Sequence, residues 1–134
     1  MTISLQYCHI TVSDVDESIA FYGGPLGFKT LNDVSDGEFR WVTLGNDSEV
    51  EFVLSVPHAG RTKEDGDALQ ELLGKGVLPM LVFRTDDVDA TFETVRASGA
   101  EVLQEPKDQP WGPRDCAFRD PSGNTVRFTQ AAKD

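Results

Sequence analysis

Tyr7, His9 and Glu51 are the residues whose chemistry stands out first. A phenol, an imidazole and a carboxylate form a general acid–base set. Arg84 and Arg127 add guanidinium groups, which donate hydrogen bonds in a fixed fork and would steady an anion beside them. Trp41 and Trp111 offer flat stacking surfaces, Tyr7 an amphipathic one, and Met80 a soft thioether. His9 and Glu51 also make two metal donors, where catalytic metals hold three or more. Cys116 is a weak nucleophile candidate, because nothing near it in sequence would lower its pKa. His58 reads as a solvated loop histidine.

Strands must carry these side chains if they are to meet. In residues 5–12, Cys8, Ile10 and Val12 alternate with Tyr7, His9 and Thr11, so one face is apolar and the other mixed. Ser13 and Asp14 then offer caps for a helix in which Val15, Ser18, Ile19 and Tyr22 recur, and Gly23, Gly24 and Pro25 end it. Residues 28–31, 38–44 and 50–56 predict three more strands. The pattern then restarts: a strand over 78–85, caps at Asp86 and Asp87, a helix carrying Val88, Thr91, Phe92 and Val95, and strands at 101–104, 115–119 and 125–130. Trp41 shares its strand with Phe39, and at least one of the two is expected in the core. The two strand-to-helix joints, Val12-Ser13-Asp14-Val15-Asp16 and Thr85-Asp86-Asp87-Val88-Asp89, repeat at an offset of 73. A unit of this size cannot bury its own sheet face, so two must pair.

The 134 residues therefore read as one α+β domain: a first βαβββ module over about 3–57, a linker or lid over 58–76 with a helical stretch at 67–73, and a second module over about 77–131. The polar strand faces would line a cavity of curved sheets, while Ile10, Val12, Phe52, Leu54, Leu81, Phe83, Val126 and Phe128 would pack on the helices. Two cysteines, no apolar run near the ~20 residues that span a bilayer, and no basic-then-apolar leader predict a cytoplasmic protein with no membrane partner. Both cysteines are expected as packing residues. The net charge of −11 argues against nucleic acid as a partner, since phosphates would be repelled. It favours solubility and the capture of a cationic small molecule.

A duplicated βαβββ unit, with "VSDVDESIAFYGGPLGF" opening one copy and "RDPSGNTVRF" closing the other, resembles the vicinal oxygen chelate superfamily of class I glyoxalases, extradiol dioxygenases and bleomycin-resistance proteins. The resemblance covers residues 3–130. Its specific pieces are Phe21-Tyr22 before Leu26-Gly27-Phe28, and Trp111-Gly112-Pro113-Arg114 before Asp120-Pro121-Ser122-Gly123-Asn124. The second piece predicts a tight hairpin, and Gly27 is expected where a side chain would collide with the returning strand. The resemblance implies a homodimer, with pairing of modules within one chain or across two left open.

Metal-dependent members of that superfamily place one ligand on the first and last strand of each unit. Counting from the motifs puts Tyr7, Met80 and Arg127 at three of those positions and Glu51 at the fourth. A guanidinium has no lone pair to give, so no metal and no other cofactor is expected. Arg127 would instead supply positive charge and pair with Glu51 across the cavity. The leading reading is capture of a small aromatic or cationic molecule without chemistry. The alternatives are a glyoxalase-like lyase or an epimerase-like isomerase with a shifted metal site on His9 and Glu51, and a dimeric interaction module.

Overall fold

A computed structural model describes residues 1–48 and 50–132, with Asp36 described by its backbone. The chain runs β1 (Tyr7–Thr11), α1 (Val15–Gly23), β2 (Lys29–Asp36), β3 (Phe39–Gly45), β4 (Glu51–Ser55), α2 (Lys63–Lys75), β5 (Leu81–Arg84), α3 (Val88–Ala97), β6 (Glu101–Asp108), β7 (Arg114–Arg119) and β8 (Thr125–Gln130). Two four-stranded sheets result, β1-β4-β3-β2 and β5-β8-β7-β6, with the same strand order. In each, the strand before the helix pairs in parallel with the last strand of its module. This is the predicted α+β duplication.

The caps fall where the repeat puts them. The Glu17 N–H donates to Asp14 Oδ1 at 2.9 Å, and the Ala90 N–H to Asp87 Oδ1 at 3.0 Å. Each satisfies one free amide at a helix start, worth about 1 kcal/mol. The linker helix is longer than the apolar pattern suggests, because Thr62 caps it through the Asp65 N–H and Gly76, at φ 72°, closes it through the Leu72 and Leu73 carbonyls. Its end is tied down: Leu73 is buried, and Arg119 Nη1 donates to the Gly76 carbonyl at 3.4 Å. β2 and β6 also outrun expectation, since the pairing slips at Leu31 and twice along β6. Such bulges break the two-residue alternation that marks a strand in sequence.

One core spans both modules. Ile10, Val12, Phe52, Leu54, Val126 and Phe128 are buried in it, with Leu81 and Phe83 packed against it, as their alternation requires. The Phe28, Phe52, Phe83 and Phe128 rings cross the seam at centroid distances of 4.8 to 6.1 Å. Cys116 joins this core, but Cys8 does not: it stands exposed near the open end of edge strand β1. Gly27 also departs from expectation. A Cβ there would meet nothing within 4 Å, so the position is set by its φ of +76° and not by crowding.

The Asp120 turn does more than reverse the chain. Asp120 Oδ1 accepts from the Ser122, Gly123 and Asn124 amides at 2.8–2.9 Å. Its Oδ2 accepts from the Tyr22 hydroxyl at 2.7 Å, and the Asn124 side-chain amide donates to the Thr11 carbonyl at 2.9 Å. The turn of one module therefore bolts the other in place.

Candidate functional site

On the first sheet, the face opposite the core carries Tyr7, His9 and Thr11 from β1. They pair across the parallel ladder with Glu51, Val53 and Ser55 of β4. Thr43 of β3 sits opposite Val53, which puts Trp41, two residues earlier, on the same face. The His9 and Trp41 rings meet edge to face at 6.2 Å and 82°. Phe39 lies on this face as well, because residues i and i+2 of a strand share a side. The expectation that Trp41 or Phe39 enters the core is therefore corrected: β3 buries Val42 and Leu44 instead.

On the second sheet, Val82 pairs with Arg127 and Arg84 with Thr129, while β7 sets Asp115 and Ala117 on the same side. Here the structure holds a polar cluster that the sequence reading missed. Asp115, only 3% exposed, accepts through Oδ1 from the side-chain amides of Gln104 and Gln109, each at 2.7 Å. Arg127 Nη1 lies 3.2 Å from Asp115 Oδ2 and donates to Gln104 Oε1 at 3.1 Å. Burial pushes the Asp115 carboxyl up, but the Gln109 and Gln104 amides and the Arg127 charge outweigh it and hold the pKa below the usual carboxylate value. Strand parity with Arg127 was the available signal for Asp115. Gln104 and Gln109 arrive through the irregular edge strand and its turn, which no periodicity marks.

The proposed Glu51–Arg127 pair is not formed. Arg127 is taken by Asp115, and Glu51 accepts a long hydrogen bond from Gln6 Nε2 at 3.4 Å. The ladder also shows that the two are not equivalent in the repeat. His9 stands beside Val53 as Val82 stands beside Arg127, so Val53 is the counterpart of Arg127. With Val53 in place of Glu51, the four positions that the resemblance assigns to ligands in metal-dependent members fall on Tyr7, Val53, Met80 and Arg127. A phenol, an isopropyl, a thioether and a guanidinium do not make a divalent-cation donor set. His9 and Glu51 lie two steps apart on the β1–β4 ladder, and among the described residues no three His, Cys, Asp or Glu side chains gather to hold a metal. The Cys116 thiol is pushed up to about 11 by burial and then by the Asp115 carboxylate, which leaves it protonated and inert. His58 sits away from both faces, bonded to Asp67 at 2.8 Å.

The two groups stay apart in one chain. Among the described residues, no hydrogen bond, ion pair or ring contact joins Tyr7, His9, Trp41 or Glu51 to Met80, Arg84, Trp111 or Arg127. Tyr7, Met80 and Val82 are 50–56% exposed, and Trp111 is 73% exposed on the turn between β6 and β7. Two clefts of about 730 and 570 Å³ lie on the helix side instead, and of the eight candidate residues only Arg84 reaches either. No described helix is long and apolar enough to cross a membrane.

The arrangement has close counterparts among solved proteins. The crystal structure of UcmS2 superposes with a TM-score of 0.87 and 36% identity, covering 96% of this chain and 98% of that one. TnmS3, an antibiotic binding protein from Streptomyces sp. CB03234, matches with a TM-score of 0.77 and 30% identity over 98% of this chain and 99% of its own. The lactoylglutathione lyase of Haemophilus influenzae is 30% identical over 127 residues, 90% of this chain and 87% of the enzyme. The model of the Glyoxalase/Bleomycin resistance protein/Dioxygenase superfamily matches residues 4–128. With the duplicated βαβββ units and their shared strand order, this establishes that the chain belongs to that superfamily.

Proposed function

We propose that the protein binds a small aromatic molecule without chemistry and without a metal, in a cavity completed by a second copy of the chain. The observation that carries this reading is the set Tyr7, Val53, Met80 and Arg127 at the four counted positions, which offers contact surface and hydrogen-bond donors but no imidazole or carboxylate for a divalent cation. Trp41 braced by His9 supplies a flat wall for stacking. Likeness to TnmS3, described as an antibiotic binding protein, supports capture of a small molecule. The open polar faces support a partner copy, because half-exposed Tyr7, Met80 and Val82 present apolar area that a monomer would leave in water. Two unpaired cysteines fit a reducing, cytoplasmic setting.

A second reading, a lyase using His9 and Glu51, draws on the 30% identity to the Haemophilus influenzae enzyme. One set of measurements separates the two. Calorimetric titration with 2-naphthalenemethanol should give saturable binding that weakens at least tenfold in Trp41→Ala. Elemental analysis should find no stoichiometric transition metal, and the hemithioacetal of methylglyoxal and glutathione should not turn over with added nickel or zinc. Stoichiometric metal with His9-dependent turnover would establish the lyase instead.

A further inference from the structure

The acidity of the chain points toward cationic ligands, but the second sheet's polar face points the other way. Arg127 is fixed through one edge only: Nη1 serves Gln104 and Asp115, while among the described residues nothing accepts from Nε or Nη2. The side chain keeps 25% of its surface accessible on the sheet face away from the core, and the second edge is left for a ligand. Its anchor cannot swing to meet it. Asp115 is held by two glutamine amides, and its side chain is only 5% exposed. A guanidinium so held is a pre-aimed fork, which suits the two oxygens of a carboxylate and costs little side-chain entropy when it engages.

The remaining charges on this face agree. Arg84 alternates onto the same side, next to Thr129, exposed and with no ion-pair partner among the described residues, and it also borders the helix-side cleft with Asp86 and Asp87. The carboxylates laddered onto this face are already matched, Asp115 by Arg127 and Glu101 by Arg119 at 3.9 Å. Apart from Glu51 on the Trp41 face, the −11 of the chain is therefore carried elsewhere, and a cation entering beside Arg127 would meet guanidinium groups at short range.

We infer that the site selects a planar aromatic anion, its ring against the Trp41 wall and its acid group on the free edge of Arg127. This rests on the aromatic-binding reading above and names the ligand class for it. Where long-range attraction and local contacts disagree, the local contacts decide affinity, because solvent and salt screen the distant charges within about 10 Å.

The test compares three molecules sharing one ring system, by calorimetry at pH 7 on the full-length protein: 2-naphthoate, 2-naphthalenemethanol and 2-naphthylmethylammonium. Naphthoate should bind at least tenfold more tightly than the ammonium compound. Arg127→Gln should weaken naphthoate at least tenfold more than it weakens the alcohol. Should that variant fail to fold, Arg127→Lys keeps a charge for Asp115 but loses the fork, and should weaken naphthoate at least threefold. Equal or tighter binding of the ammonium compound overturns the inference, as does naphthoate affinity that ignores Arg127. If the alcohol binds and naphthoate does not, the anion preference alone falls. If none of the three binds, the aromatic-binding reading falls and takes this inference with it.

Discussion

The hydroxyl of Tyr22 donates to Asp120 Oδ2 at 2.7 Å across 98 residues of chain, and both side chains are buried. Tyr22 belongs to the helix of the first module and Asp120 to the last turn of the second. Burial and the neighbouring carboxylate raise the Tyr22 pKa far above the ordinary phenol value, so it stays a donor at any working pH. The bond fixes the seam on which the relative placement of the two polar faces depends.

Tyr22→Phe keeps the ring packed and removes only the donor, leaving Asp120 Oδ2 with the Asn124 amide alone. Loss of a buried hydrogen bond to a charged acceptor should cost about 1.5–3 kcal/mol in urea denaturation. Asp120→Ala, which strands three backbone amides as well as Tyr22, should cost more. A Tyr22→Phe penalty below about 0.5 kcal/mol would show that the seam does not depend on this bond.

The caps, the duplication and the core faces were legible because each rests on local spacing: Asp14 and Asp87 before Val15 and Val88, or Ile10 and Val12 against Tyr7 and His9. Ladder register was not. The joints repeat at 73 residues, but the last strands align at 74, Val53 with Arg127, and counting through the β3–β4 turn put Glu51 there instead. A slip of two keeps a residue on its face and changes its neighbours, so the face was right and the Glu51–Arg127 pair wrong. Asp115, Gln104 and Gln109 were invisible for another reason. Their cluster exists only once an irregular edge strand brings amides to a buried carboxylate.

Two glycines in positive-φ turns separate backbone strain from crowding. Gly27, at φ +76°, has open space where a Cβ would go, so Gly27→Ala should cost only the strain of the left-handed conformation, about 1–2 kcal/mol. Gly123, at φ +108°, would place a Cβ 2.7 Å from the Leu73 carbonyl oxygen, and Gly123→Ala should cost clearly more. Thermal melts of the two variants check the order; equal shifts would mean that α2 yields freely at its end.

Acid should act through Asp115. Its folded pKa lies below the unfolded value of about 3.9, so its contribution is complete above that pH and is lost as pH falls through the folded value. Asp33, Asp67 and Asp89 are lowered too, by the partners Arg40, Lys63 and Arg114, but they sit at the surface where water and salt weaken the effect. In high salt, Asp115→Asn should therefore flatten the fall in stability below about pH 4, while Asp89→Asn should leave its slope near that of the parent chain. A parent-like slope in Asp115→Asn would place the acid-sensitive groups elsewhere.

Assembly is the sharpest consequence of the open faces. Tyr7, Val34 and Val82 are each at least half exposed on the sheet sides away from the core, Val34 directly opposite Trp41. A partner copy laid over both faces would take this apolar area out of water. Light scattering at micromolar concentration should give twice the chain mass of 14.7 kDa. Because the Trp41 wall and the Arg127 fork do not meet within one chain, naphthoate binding should vanish on dilution into the monomer range. Full affinity in a verified monomer would mean that one copy closes the cavity alone, and the partner copy would lose its role in the site.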